Sequence, residues 1–329
     1  MPSAADRQTQ AARDAVELPL RGTAFGLDLH AASELRLLSE SSAAATGRAL
    51  TLTVTGDEAV CGWPRGAELV CDQREADDSV SFRIEFDRGA GYLIEGPAYG
   101  RHILAADGRR VVSMPGGRPA EVWQRLLIAQ VLPFAALIRG LEVLHASAVV
   151  SERGALVFSG PSRAGKTTLA LELCRRGASF LTDDVLALQS AEGRLLGHPG
   201  APLAGMAHAE ARRLESIGAS IGAPVLAINA RERLLRVRAA PAPAEVAALF
   251  FLERQGGEPG TTRFEPVNDP RLLLSSTFNT VLRTPVRLRS LLELCAQVAT
   301  LRVERIRIGA GTHVEQVAEA IERRIGIAP

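Results

Sequence analysis

Between about Val16 and Gly117, apolar and polar residues alternate in short runs. Ala49–Gly56 (ALTLTVTG) alternates around threonine and valine. Ser79–Phe86 (SVSFRIEF) sets Val80, Phe82, Ile84 and Phe86 against polar neighbours. Gly91–Gly96, Arg101–Gly108 and Arg109–Met114 follow, with Gly and Asp-Gly turn signals between them. A period of two marks a strand with one buried face, because successive side chains leave a sheet on opposite sides. The pattern predicts an antiparallel sheet of about five or six strands. Residues 1–16 read as a loose polar arm.

The period then changes. Gly116–Pro119 is a turn, and a helix is expected over Ala120–Arg139 with its stop at Gly140. Leu144–Val150 reads as a strand and Glu152–Gly154 as a turn. Ala155–Gly160 is continuously apolar, as in a strand buried on both faces. Thr167–Gly177 reads as a helix with a glycine stop, and Ser179–Leu188 as the next strand. Beyond Gln189, prolines mark loops. Strands are expected over Glu245–Glu253 and Val303–Gly309, and helices over Arg271–Leu282, Ser290–Leu301 and Val314–Ile325. The chain thus divides into a β-rich N-terminal domain, 1–118, a candidate for substrate recognition, and an α/β domain, 119–329.

Hydrophobic residues make up 47% and charged residues 23% of the 329, enough apolar matter for a sizeable core. The net charge of +1 gives no electrostatic footprint for nucleic acid or an anionic membrane. Cys61, Cys71, Cys174 and Cys295 form no C-x-x-C pair and no metal-ligand spacing, as expected of reduced cytoplasmic thiols. The first fifteen residues contain no apolar signal core. Trp123–Ile138 is interrupted by Gln124, Arg125, Gln130 and Pro133, which fits a buried helix better than a membrane span. A cytoplasmic location is expected, with neither nucleic acid nor membrane as partner.

Gly160, Pro161, Ser162, Arg163, Ala164, Gly165, Lys166 and Thr167 fit G-x-x-x-x-G-K-[ST], after a buried strand and opening a helix. The glycines let the loop curl until its N–H groups converge on phosphate, and the helix N-terminus adds partial positive charge. In such a loop Lys166 bridges the β- and γ-phosphates and the Thr167 hydroxyl holds Mg²⁺, with Thr168 completing the cofactor-binding set. ATP and Mg²⁺ are the expected cofactors. Lys166 is also the only lysine of the chain. An ammonium on a flexible stem enters a cradle of amides where a planar guanidinium does not. Of the arginines, Arg163 sits inside the loop, and Arg283, Arg287 and Arg289 flank Pro285; none is assigned a catalytic role.

His145 is expected on the strand before the loop strand, and Asp183 and Asp184 on the strand after the helix. In a parallel sheet, the ends of such strands face the loop's ligand. Neighbours along a strand point to opposite faces, so at most one aspartate aims at the γ-phosphate. Two carboxylates beside a Mg²⁺–phosphate divide the work: one takes the proton of an attacking hydroxyl, the other holds the metal.

His145–Val150 (HASAVV) followed by Gly154–Asp184 (GALVFSGPSRAGKTTLALELCRRGASFLTDD) resembles the catalytic domain of the HPr kinase/phosphorylase family and its HPr-kinase-related relatives. The resemblance covers about Leu144–Leu188. It implies a P-loop domain with a phosphoenolpyruvate-carboxykinase-like nucleotide-binding fold, and ATP-dependent phosphorylation of a serine hydroxyl. It also implies His145 and Lys166 in the catalytic set, Asp184 as proton acceptor, and Asp183 with Thr167 on the metal. The chain departs from the family in three places. Gly197–Met206 (GHPGAPLAGM) stands where the family has a metal-binding glutamate followed by R-G-L-G, Thr168 stands where bifunctional members have an acidic residue, and the first domain is unlike theirs. These features fit the divergent relatives, some of which phosphorylate ribosomally made peptides, including lasso peptide precursors. The expected activity is that of a serine kinase acting on a peptide or small protein, and a homo-oligomer is compatible with it. A small-molecule kinase and a nucleotide-operated switch are the alternatives. The aspartate pair favours the kinases, since a switch needs no base for a hydroxyl.

Overall fold

A computed structural model describes residues 18–38, 45–208, 221–228, 232–254, 258–267, 269–278 and 284–326. The polar arm expected over residues 1–16, the end of the helix expected over Arg271–Leu282, and Arg283 lie outside the described residues. The fold is mixed α/β, with two large sheets and a small third one.

The alternating segments form β1 (Leu20–Ala24), β2 (Leu27–Ala31), β3 (Ala49–Val54), β4 (Glu68–Arg74), β5 (Val80–Asp87), β6 (Gly91–Gly96), β7 (Gly100–Leu104) and β8 (Arg110–Met114). They make one eight-stranded sheet in the order β1-β2-β3-β8-β7-β6-β5-β4. From β8 to β4 neighbours are antiparallel, as expected, but β3 runs parallel to both β2 and β8. The sheet is therefore mixed and larger than the pattern suggested. Alternation reveals a strand's buried face, not its partner, and β3 meets β8 only after the chain has passed through four other strands.

Helix α1 (Ala120–Ile138) packs on this sheet. Trp123, Leu127, Val131 and Phe134 share one core with Leu27, Leu29, Leu50 and Ile94. Gln124 is fully buried, and its side-chain carbonyl accepts from the Leu37 amide at 2.9 Å. Pro133 has no N–H to give, and just before it the helix widens into a π turn over Leu127–Val131. Helix α1 is long and apolar enough to cross a membrane, yet 67% of its most apolar stretch is buried within the protein. The core around it continues past residue 118 to Val143, Val185, Ala187 and Leu234.

The rest of the chain forms β9 (Glu142–Leu144), β10 (Ala146–Ser151), β11 (Gly154–Ser159), α2 (Lys166–Arg175), β12 (Ser179–Thr182), β13 (Leu186–Ala191) and β14 (Arg194–His198). Next come β15 (Leu203–Ala207), β16 (Val225–Ile228), β17 (Glu232–Arg236), β18 (Ala244–Glu253), β19 (Thr262–Pro266) and α3 (Pro270–Ser275). The last elements are α4 (Pro285–Val298), β20 (Arg302–Ile308) and α5 (Val314–Ile325). The second large sheet runs β12-β10-β11-β18-β14-β13-β9, with β20 on β18 and β19 on β20, while β15, β17 and β16 form the small sheet. β11 and β18 are parallel and central. Both of their faces are apolar. Ala155, Val157, Leu249 and Phe251 enter a core with residues of α3 and α4, whereas Leu156, Phe158, Phe250 and Leu252 enter one with α2 and α5. Each buried Phe or Leu contributes about 1.5–3 kcal/mol, which fixes the strand that ends at Ser159.

Candidate functional site

β11 ends between β10 and β18, and the glycine-rich loop begins there. Gly160 has φ 142°, and a Cβ on it would lie 2.6 Å from the Leu252 carbonyl oxygen, so strand packing alone demands glycine. Gly165 (φ 95°) caps α2 in the left-handed region. Arg163, between them, has φ 65°, a costly conformation for a side chain of its size. Arg254 follows β18 and donates from Nε to the Ala164 carbonyl at 2.8 Å, tying the loop to the sheet. Lys166 is buried and curls back into the loop, donating to the carbonyls of Gly160 (2.9 Å) and Pro161 (3.2 Å). Burial lowers its pKa, and Asp184 and Asp183 oppose that shift.

The expectation of parallel strands beside the loop strand holds for β18 and is corrected for the strand that follows His145. β10 is antiparallel to β11, with Ala146 opposite Ser159. It therefore starts at the edge where β11 ends, and His145 is still brought beside the loop. His145 is not within a strand: its amide donates to the Ser276 carbonyl, which breaks the expected Leu144–Val150 strand into β9 and β10. Burial lowers the His145 pKa, Asp184 opposes this and Lys166 adds to it.

The strand expected over Ser179–Leu188 is also two. β12 stops at Thr182 and β13 starts at Leu186, because the Val185 amide donates to the Asp183 carbonyl (2.7 Å) and Asp184 takes φ 68°. The aspartates thus occupy a tight turn rather than opposite faces of a strand, and both lie at the loop edge. Asp183 keeps some accessible surface but is enclosed by protein. Its Oδ1 accepts from Ser147 Oγ (2.6 Å) and Thr167 Oγ1 (2.8 Å), and its Oδ2 from the Gly205 amide (3.0 Å). Desolvation and the Asp184 charge raise its pKa, and the three donors pull it back. The Asp184 side chain is 47% exposed and lies 3.3 Å from the Arg125 guanidinium. Arg125 also binds Glu232 at 2.7 Å. Burial works against the Arg125 charge, but Glu232 and the two aspartates outweigh it and hold its pKa above the usual arginine value.

Arg125, Glu232, Ser147 and Arg254 are the residues that sequence reasoning missed. Arg125 had left a signal, a charge inside an apolar helix, which requires a buried partner. Glu232, more than a hundred residues away, had left none. Arg287 is not at the loop: it is buried in an ion pair with Glu142. Among the described residues no group of three His, Cys, Asp or Glu could hold a metal. Thr167 and Asp183 offer hard oxygens in contact. Such a partial set suits Mg²⁺, which usually keeps waters and phosphate oxygens beside one or two protein ligands.

Two cavities flank the loop, and Ser162 lines both. One, of about 500 Å³, is bordered by His145, Ser159, Gly160, Phe251, Leu272 and Ser276. The other, of about 580 Å³, is bordered by Phe82, Tyr99, Arg125, Ala129, Arg163 and Glu232, and so lies between the first sheet and the loop.

No protein-family model matches this chain, and no curated protein does. Among solved structures, it is similar to the Hpr(Ser) kinase/phosphatase from Coxiella burnetii, with 16% sequence identity and a TM-score of 0.29 over 56% of this chain and 95% of that one. A likeness of that size carries no weight about fold or activity.

Proposed function

We propose that this chain is an ATP- and Mg²⁺-dependent kinase that transfers the γ-phosphoryl group to a hydroxyl, with a serine of a peptide or small protein as acceptor. The reading rests first on one contact, Thr167 Oγ1 at 2.8 Å from Asp183, beside a lysine curled into a glycine-rich loop. The sequence resemblance over Leu144–Leu188 supports it. In this reading residues 119–329 carry the chemistry, and ribosomally made peptides are the acceptor class the resemblance favours.

The two aspartates then have separate duties. Asp183, enclosed and held by three donors, would with Thr167 hold Mg²⁺, which supplies charge neutralisation at the β- and γ-phosphates. Asp184 is the more accessible and takes the acceptor's proton. The acceptor oxygen bonds to the γ-phosphorus as the bond to the β–γ bridging oxygen breaks, and the proton passes to the Asp184 carboxylate. Lys166 leaves the carbonyls of Gly160 and Pro161 for the phosphates. His145, kept neutral by burial, hydrogen-bonds the nucleotide from the 500 Å³ cavity, which has room for the nucleoside.

The test is calorimetric titration with ATP, with and without Mg²⁺, followed by mass spectrometry of serine peptides incubated with labelled ATP. Mg²⁺-dependent binding and label on a hydroxyl are expected. A chain that does not bind ATP sinks the reading.

A further inference from the structure

We infer that the acceptor segment lies in the 580 Å³ cavity, with the first sheet as one wall and an apolar residue beside the phosphorylated hydroxyl as its anchor. This rests on the kinase reading above. In-line transfer places donor and acceptor on opposite sides of the γ-phosphoryl group. The loop lies between the two cavities, and only Ser162 is shared. With the nucleoside on the His145 side, the acceptor is left the side of Phe82, Tyr99 and α1. Arg125, in that wall, touches Asp184 at 3.3 Å, so the proposed base stands one contact behind this cavity.

The lining indicates what kind of acceptor fits. The deeper part is apolar: buried Leu126 with half-buried Phe82, Tyr99 and Ala129. The rim residues Gln73, Glu75, Ser162 and Arg163 are exposed, so the cavity is a cleft that a chain can cross. A site for a small metabolite would instead close over it to exclude water. The π turn of α1 contributes Ala129, and such turns recur where a helix serves a site. Arg163 makes no hydrogen bond or ion pair among the described residues. Its strained backbone holds a free guanidinium over this cleft and not over the first cavity. That is the position from which it meets the phosphoryl group as it moves to the acceptor.

A library of peptides randomised around a fixed serine, incubated with labelled ATP and the full chain, tests the inference. Label should concentrate on peptides with an apolar residue within one or two positions of the serine. Ala129→Arg fills the cleft and Tyr99→Ser removes part of its apolar floor. Each should cut peptide labelling by about tenfold or more, the effect of altering an apolar specificity pocket. Mg²⁺-ATP affinity, measured on the same samples, should stay within about twofold, as for separate sites. Labelling without an apolar preference, labelling unchanged in both variants, or label confined to small hydroxyl compounds overturns the inference. So does a chain that binds Mg²⁺-ATP and labels no peptide. Loss of ATP binding by the native chain counts against the kinase reading itself, and the inference falls with it.

Discussion

His102 in the first large sheet and Lys166 of the cluster at the glycine-rich loop of the second are both buried, and they are kept in opposite states. In the first sheet His102 lies mid-strand on β7, 1% exposed, with Nδ1 at 2.9 Å from Ser113 Oγ on β8. Burial pushes its pKa down to about 3, so it is neutral throughout the physiological range. In the second sheet Lys166, Asp183, Asp184 and, through α1, Arg125 and Glu232 gather at strand ends as one charged network. A charge sealed mid-sheet has no solvent and no partner, and the cheapest state is neutral. At the strand ends a helix N-terminus, counter-charges and two cavities make ionised groups tolerable and accessible. A buried polar group is thus no mark of function by itself, whereas a charged cluster opening on cavities is.

The sharpest way to break this comparison is to remove one charge from the second region and one polar group from the first. Asp184→Asn should lower single-turnover phosphoryl transfer by roughly two to four orders of magnitude, the usual share of a positioned base, with ATP affinity unchanged. Asp183→Asn should instead raise the Mg²⁺ concentration needed. His102→Asn should leave transfer at the native rate. Equal transfer by both aspartate variants and the native chain would favour the nucleotide-switch alternative.

Lys166→Ala comes next. An electrostatic contact in a sheltered site is worth about 3–4 kcal/mol, so ATP affinity or turnover should fall roughly a hundredfold or more. Lys166→Arg should do nearly as badly, since Arg254 already crowds Gly165 and a planar fork does not fit the cradle. Equilibrium titration with ATP decides it, and an arginine variant of native affinity would make the single lysine incidental. Arg125→Met should follow, costing about 3 kcal/mol of unfolding free energy, because carboxylates on two elements lose the guanidinium between them. Adding Glu232→Leu should restore much of that loss in urea melts, and a double variant no more stable than the single one would show that the network is not what holds α1 to the site.

The sequence carried the loop, the helix stop at Gly177, and most of the elements that position the site, because these are local matters of glycine, period and cap. Residues 244–253 and 314–325 needed only their own pattern. The break at Asp183–Asp184 was not legible. Ser179–Leu188 is apolar enough for one long strand, and only pairing of its halves with different partners, β10 on one side and β14 with β9 on the other, splits it. The direction of β10 was hidden for the same reason, since direction is a property of the pair. The Arg125–Glu232 contact joins positions 107 residues apart, and one chain's pattern holds nothing that links them.

The smallest effect expected is on stability against pH, and its sign separates the buried histidines from Asp183. His102 has a folded pKa of about 3 against 6.5 for a free imidazole. The unfolded chain therefore binds a proton between about pH 6.5 and 3 that the folded chain refuses. Stability from this group is full well above pH 6.5 and is lost as pH falls through that window, by about 1.2 kcal/mol between pH 7 and 5.5. His198, pushed down to about 4 by burial, adds in the same direction. Asp183 acts the other way: its raised folded pKa favours the folded state at acid pH, and that contribution is lost as pH rises through it. Whole-protein curves mix the two, so the measurement is a difference. Urea unfolding of the native chain and His102→Asn at pH 7 and 5.5 should show the native chain losing about 1.2 kcal/mol more than the variant over that interval. The corresponding difference for Asp183→Asn should have the opposite sign. Parallel curves for native and His102→Asn would mean that this histidine is charged in the fold, and that the first sheet does not keep its buried polar groups neutral.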